Sequence, residues 1–156
     1  MKDLEQVMKL IDVAKEWMKA KQLQQWDEDY PNVKVIEEDI KNRNSFVLEA
    51  DGKIVASLAV VPSTDSTFYQ FLKGECLMRE ENFGFATRAA MDASSKGKGV
   101  GDLLVESFEE ISKRRKYDRI KTVTHESNKR MQKVLLKHGY SYCCETFISG
   151  TKMLAF

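Results

Sequence analysis

Cysteine and histidine are scarce in this 156-residue chain, and neither sign of charge prevails. Three cysteines, two of them adjacent at Cys143 and Cys144, make neither a disulfide framework nor a metal spacing. Three reduced thiols, as in a cytoplasmic protein, are the expectation. Two histidines far apart, His125 and His138, build no zinc site, so no metal is expected. With 25 basic and 24 acidic side chains the net charge is +1, which gives no long-range attraction to nucleic acid or to an anionic membrane. No apolar run approaches the roughly 20 residues of a membrane span. The N-terminal stretch is amphipathic and carries both charge signs, unlike a secretory leader. There is no internal repeat, low-complexity tract or linker. What is left, 42% hydrophobic and 31% charged, has the balance of a soluble globular protein. Its length suits one domain, residues 1–156, with a real core.

Along the chain, Leu4, Val7, Met8, Ile11, Ala14 and Met18 recur at helical spacing and predict a helix over residues 3–21, with Asp3 able to cap it. Residues 22–32 change character: Trp26 and Tyr30 stand among Gln25, Asp27, Glu28 and Asp29, and Pro31 ends the segment. An aromatic pair amid carboxylates suits a cationic amine, and a connecting loop with Trp26 tucked onto the core is the alternative. A short helix follows over Val33–Lys41. Asp51-Gly52 between two apolar runs, 46–50 and 53–61, is a hairpin signal, and the second run is apolar enough to be covered on both faces. Phe68, Tyr69, Phe71 and Leu72 suit a short helix or an irregular lid. Strands are expected at Phe83–Met91 and 119–124, with a helix from Val100 to about Lys116 between them as a crossover. A further helix opens after 125–128 and ends at Gly139, and strands 140–148 and 152–156 close the chain around Gly150. Hairpins mixed with a crossover imply an α+β (α/β) domain with a mixed sheet and helices on both faces.

The chain is organised around Lys96-Gly97-Lys98-Gly99-Val100-Gly101, where a strand hands over to a helix. Such a junction offers unpaired N–H groups and the positive end of a helix dipole to one anion. Glycines let backbone approach that anion, and Lys96 and Lys98 add charge, so the stretch reads as a diphosphate site. The triphosphate-loop pattern fails because no lysine followed by Ser or Thr closes it. The dinucleotide pattern fails at Asp102 or Leu104, depending on the glycine from which it starts. A glycine-rich turn that merely caps a helix is the plain alternative.

The pattern that fits is Q/R-x-x-G-x-G/A, with Lys96, Gly99 and Gly101 in its places. It resembles the acetyl-CoA loop of the GNAT (GCN5-related) N-acetyltransferases. Arg88-Ala89-Ala90-Met91, five residues ahead of Lys96, is similar to that family's R-L-A-V strand end. Asn128, Leu135, Gly139 and Tyr140 are similar to its N-x-x-A-x-x-L-Y-x-x-x-G-F. The resemblance runs from residue 3 to the C-terminus. The stretches 25–31 and 124–128 further resemble a bacterial subgroup of small GNAT proteins. Departures are Lys96 where Gln or Arg is usual, Leu135 in the slot of the usual acid Tyr, and a helix in place of the opening strand.

The resemblance implies a sheet splayed between two parallel strands. It implies acetyl-CoA as cosubstrate, held by Ala89, Ala90, Met91, Lys96, Gly97, Lys98, Gly99, Val100, Gly101 and Asn128. An N–H near Ala90 or Met91 would face the thioester oxygen. A small-molecule or peptide amine would attack directly, with Trp26 and Tyr30 as candidates to bind it. Tyr140, Tyr142 or solvent could protonate the leaving thiolate. Amines are mostly protonated at pH 7, so a base is needed, and His125, Glu80 and Glu81 are the candidates. His125 ends a strand at the lip of the splay and belongs to a type that titrates near neutrality. A plain helix-entry role is its alternative. A homodimer is compatible with the chain. With Leu135 in the acid slot, a non-catalytic acyl-CoA-binding module is the competing reading. A nucleotide-binding protein rests on the glycines alone.

Overall fold

The computed structural model describes residues 3–64, 72–73, 82–148 and 150–156. Among them are four α-helices, α1 (Leu4–Ala20), α2 (Val33–Lys41), α3 (Val100–Arg114) and α4 (Lys129–Lys137). Six strands of five or more residues are β1 (Ser45–Ala50), β2 (Lys53–Pro62), β4 (Phe83–Met91), β5 (Arg119–His125), β6 (Cys144–Ile148) and β7 (Thr151–Ala155). A two-residue strand, β3 (Leu72–Lys73), completes a sheet ordered β1-β2-β4-β5-β7-β6-β3. The mixed sheet expected from the sequence is therefore present, and no strand precedes α1 among the described residues. The expected helix or lid around Phe68, Tyr69 and Phe71 lies outside them.

Local chemistry accounts for most boundaries. Asn32 Oδ1 accepts the Val35 N–H at 3.1 Å and starts α2. Asp3 stands before α1 but makes no side-chain cap bond, contrary to its expected role. Asp51 and Gly52, with φ of +50° and +73°, both adopt the left-handed conformation that a two-residue hairpin turn demands. Pairing on the chain's last hairpin begins at Cys144 rather than Tyr140, because the Tyr140 N–H first closes α4 on the Leu135 carbonyl at 3.1 Å. The expectation of three reduced thiols is corrected: Cys143 is exposed and free, whereas Cys144 is disulfide-bonded. Cys144 enters the strand and packs on the sheet, which separates its surroundings from those of its exposed neighbour.

The core has two sides. Ala56, Leu58, Val60 and Ala86 of the central strands pack beneath Val100, Leu104 and Phe108 of α3 and Leu135 of α4. On the opposite face, Val7, Leu10 and Ile11 of α1 and Ile36 of α2 pack against Ala90. The central position of β2 explains its apolar run, since Ala56 to Val61 are all buried. No helix among the described residues is long and apolar enough to cross a membrane.

Candidate active site

Strands β4 and β5 run parallel but pair only from Phe83↔Arg119 to Ala86↔Thr122. Thr122 Oγ1 closes the pairing with a 2.8 Å bond to the Ala86 carbonyl. Beyond that point β4 stays with β2, while Val123, Thr124 and His125 pair with β7. A gap therefore opens inside the sheet between Thr87–Met91 on one lip and Val123–His125 on the other.

The β4 lip is bent. Between Ala59↔Thr87 and Ser57↔Ala90, β2 advances two residues and β4 three, with Arg88 at φ +50°. This is a bulge on β4. The Asp92 N–H bonds the Val55 carbonyl of β2 at 2.9 Å. By the alternation of strand backbone, the Met91 N–H turns away from β2 and into the gap, whereas that of Ala90 faces β2. Side chains divide likewise: Ala89 and Met91 pack on the α3 side and Ala90 on the α1 side.

The glycine loop lies at the end of this lip. Asp92 accepts the Ser94 N–H at 3.2 Å and starts a 3-10 turn, Ala93–Ser95. The Ser94 hydroxyl bonds the same carboxylate and holds it below its ordinary pKa. Gly97 and Gly99 follow at φ +81° and +80°, and Gly99 is the N-cap of α3. The first helical bond is Leu103 N–H to Gly99 O at 3.1 Å, so Val100, Gly101 and Asp102 keep N–H groups with no helical acceptor. A Cβ on Gly97 or Gly99 would meet nothing within 4 Å. The open space before unpaired donors fits an anion such as the pyrophosphate of CoA. Gly101 differs: it has no left-handed φ, and a Cβ there would touch Met91 Cε at 3.7 Å and Val134 Cγ2 at 4.0 Å. Lys96 is exposed, with its Nζ 5.3 Å from the ring centre of Trp17 on α1. Lys98 is exposed as well.

Asp102, in the first turn of α3, receives Lys137 Nζ at 2.6 Å and lies 2.8 Å from His138 Nε2. The Lys137 bond, then that of His138, hold its carboxyl below the ordinary range. The contact clasps α4 to the loop.

On the β5 lip, His125 Nδ1 accepts the Ser127 N–H at 3.1 Å. In the neutral ring the proton is therefore on Nε2. The His125 N–H donates to Gln25 Oε1 at 3.2 Å, and its carbonyl accepts the Asn128 N–H at 2.9 Å. Asn128 Oδ1 caps α4 through the Met131 N–H at 3.2 Å, which leaves its amide NH₂ for other use. One residue before His125, Thr124 Oγ1 is buried without a partner. Glu80 and Glu81 lie outside the described residues.

Of the other candidates, Trp26 packs on the α1–α2 side of the core. The Tyr30 hydroxyl accepts from Arg88 Nη1 at 2.9 Å. Leu135 is 0% exposed within the core, so the acid slot is a packing position. Burial, then the charge of Glu109, push the Tyr140 phenol above its ordinary pKa, and its hydroxyl is buried unpaired. Tyr142 stands edge-on to Phe156 at 6.1 Å. Among the described residues no group of three or more His, Cys, Asp or Glu could hold a metal ion.

Sequence reasoning missed Gln25 and the Arg88–Asp39 pair. In that pair Nε and Nη2 of Arg88 each meet a carboxylate oxygen at 2.6 Å, with both residues 6% exposed. A signal was available for the second: Asp39 sits on the inward stripe of α2 with Ile36 and Ile40, where an acid needs a buried cation.

The model of the acetyltransferase (GNAT) family matches residues 7–140. A GNAT-family acetyltransferase structure from Streptococcus agalactiae is 28% identical, with 99% of this chain and 88% of that one covered and a TM-score of 0.83. One from Listeria monocytogenes is 16% identical, over 99% and 89%, at 0.75. A structure described as a predicted acetyltransferase with acetyl-CoA, from Clostridium acetobutylicum, is 16% identical, over 89% and 86%, at 0.61. No curated protein matches the sequence.

Proposed function

The chain belongs to the acetyltransferase (GNAT) family, and from that footing we propose that it transfers an acetyl group from acetyl-CoA to a primary amine by direct attack. The observation that carries the reading is the gap between β4 and β5 opening beside a helix N-terminus with unpaired donors. Acetyl-CoA supplies the activated acetyl group. The chain's own residues supply the rest. Residues 96–101 bind the pyrophosphate, with Lys96 and Lys98 adding charge, and the Asn128 amide holds the pantetheine arm. Ala89 and Met91 line the β4 lip from the α3 side, and Ala90 backs it from the other. The Met91 N–H is the donor for the oxyanion that develops on the acetyl carbonyl.

Proton handling divides between groups. The outward edge of neutral His125 carries a proton, because its other nitrogen accepts from Ser127. It therefore serves to orient the acceptor or to donate, and Glu80 or Glu81, through water, are the groups to receive the amine's proton. A thiolate needs no strong acid to leave, since thiols have pKa values near 8.5. Trp26 and Tyr30 belong to the acceptor side, where a cationic small molecule or peptide amine would enter.

The test combines calorimetric titration of acetyl-CoA with a panel of amines read by mass spectrometry. Binding together with an acetylated product is expected. Binding without product from any amine would favour a non-catalytic acyl-CoA-binding module, for which the buried Leu135 in the acid slot speaks. Preference for ATP or NAD over CoA would end both readings.

A further inference from the structure

The loop of residues 22–32 touches both lips of the gap. Gln22, at φ +55°, turns the chain out of α1. Gln25 Oε1 then accepts the His125 N–H at 3.2 Å on the β5 lip. Five residues later the Tyr30 hydroxyl accepts from Arg88 Nη1 at 2.9 Å on the β4 lip. Both bonds lie past the last ladder pair, Ala86↔Thr122, where the two strands no longer bond each other.

The loop is tied by its own hydrogen bonds. Asp27 Oδ1 accepts the N–H groups of Asp29 and Tyr30 at 2.9 and 2.7 Å. Asn32 Nδ2 bonds the Asp29 carbonyl at 2.8 Å, and Trp26 anchors the middle on the core. The β4 fastening is itself fixed, because Arg88 is forked onto Asp39 of α2 at two distances of 2.6 Å. Burial opposes the Arg88 charge, but Tyr30 and Asp39 together outweigh it, so the guanidinium stays ionised.

We propose that residues 22–32 form a strap across the gap, fastened by Gln25 and Tyr30, which holds the lips at the spacing the transfer requires. Both are positioning residues: they act through His125 and through the bulge at Arg88 that turns the Met91 N–H inward. The proposal rests on the acetyltransferase reading, and its test has an arm that does not.

In the 156-residue chain, Gln25→Ala and Tyr30→Phe each lower kcat about tenfold or more, the range expected when reacting groups lose alignment. The acetyl-CoA Kd stays within about twofold, because the pyrophosphate loop is untouched. The double variant is no worse than the poorer single one, since releasing either end frees the strap. Gln25→Glu, which keeps an acceptor oxygen, retains the wild-type kcat. Wild-type kcat in either removal variant, losses that multiply in the double, or no rescue by Gln25→Glu overturns the strap. Amide hydrogen exchange at His125 needs no turnover. A strap makes Tyr30→Phe speed exchange at His125, although Tyr30 does not touch it. Exchange at the wild-type rate in that variant refutes the strap, whether or not any amine is acetylated.

Discussion

The same substitution at two neighbouring glycines should have opposite effects. Gly99 stands at φ +80° and ψ 0°, and a Cβ there would have no neighbour within 4 Å, so Gly99→Ala changes the backbone energy and no packing. Holding an L-residue in the left-handed region costs about 1–2 kcal/mol. For a chain of this size each kcal/mol moves Tm by about 2–4 °C, which gives a loss of about 2–8 °C. Gly101 lies inside α3 without a left-handed φ, and its Cβ would make ordinary contacts at 3.7 and 4.0 Å with Met91 and Val134. There alanine gains up to about 1 kcal/mol of helix propensity, so Gly101→Ala should melt at the wild-type temperature or up to about 4 °C above it. Affinity separates the two as well. A methyl on Gly99 enters the open space before the loop, and acetyl-CoA binding should weaken at least about tenfold, or about 1.4 kcal/mol. A methyl on Gly101 points at Met91 and Val134, and binding should stay within a few fold, on the order of half that energy. Scanning calorimetry and titration calorimetry read both quantities. Equal Tm losses at the two positions would refute the conformational argument. Wild-type affinity in a destabilised Gly99→Ala would mean that the anion binds elsewhere.

Leu135→Tyr should act on stability before rate: the site is 0% exposed, overpacking costs about 1–3 kcal/mol, and a lower denaturation midpoint by urea titration is the expected outcome. A wild-type midpoint with a raised rate would instead put this side chain at the thioester. Asp102→Asn should lower Tm at pH 7 and do nothing well below about pH 4. The carboxyl's folded pKa is depressed by Lys137 and then His138, so its contribution is present above the ordinary value of about 3.9 and fades as pH falls through the folded one. A Tm difference that persists unchanged into acid would exclude the clasp as its source.

Much of what depended on neighbours in the chain was legible beforehand, although the Asp3 cap and the start of β6 were not. The helix expected over Val33–Lys41 is present with those bounds. Asp51-Gly52 gave the first hairpin, the glycines gave the start of α3, and the strand expected at Phe83–Met91 is β4. These signals act over a few residues, because backbone conformation and capping are decided within a turn of helix or a pair of strand positions. The parallel pair was legible too, since one crossover helix separates β4 from β5. That Gly101 is a helical packing position while Gly99 is a conformational one was not legible, since both fill the same pattern. Nor was the edge strand β3, which exists through its pairing with β6. The contacts that frame the gap join residues 49, 58 and 100 positions apart: Arg88 to Asp39, Arg88 to Tyr30, and His125 to Gln25. No local pattern selects such partners. They follow from the sheet order and from the register in which β4 and β5 part, which only the packed chain fixes.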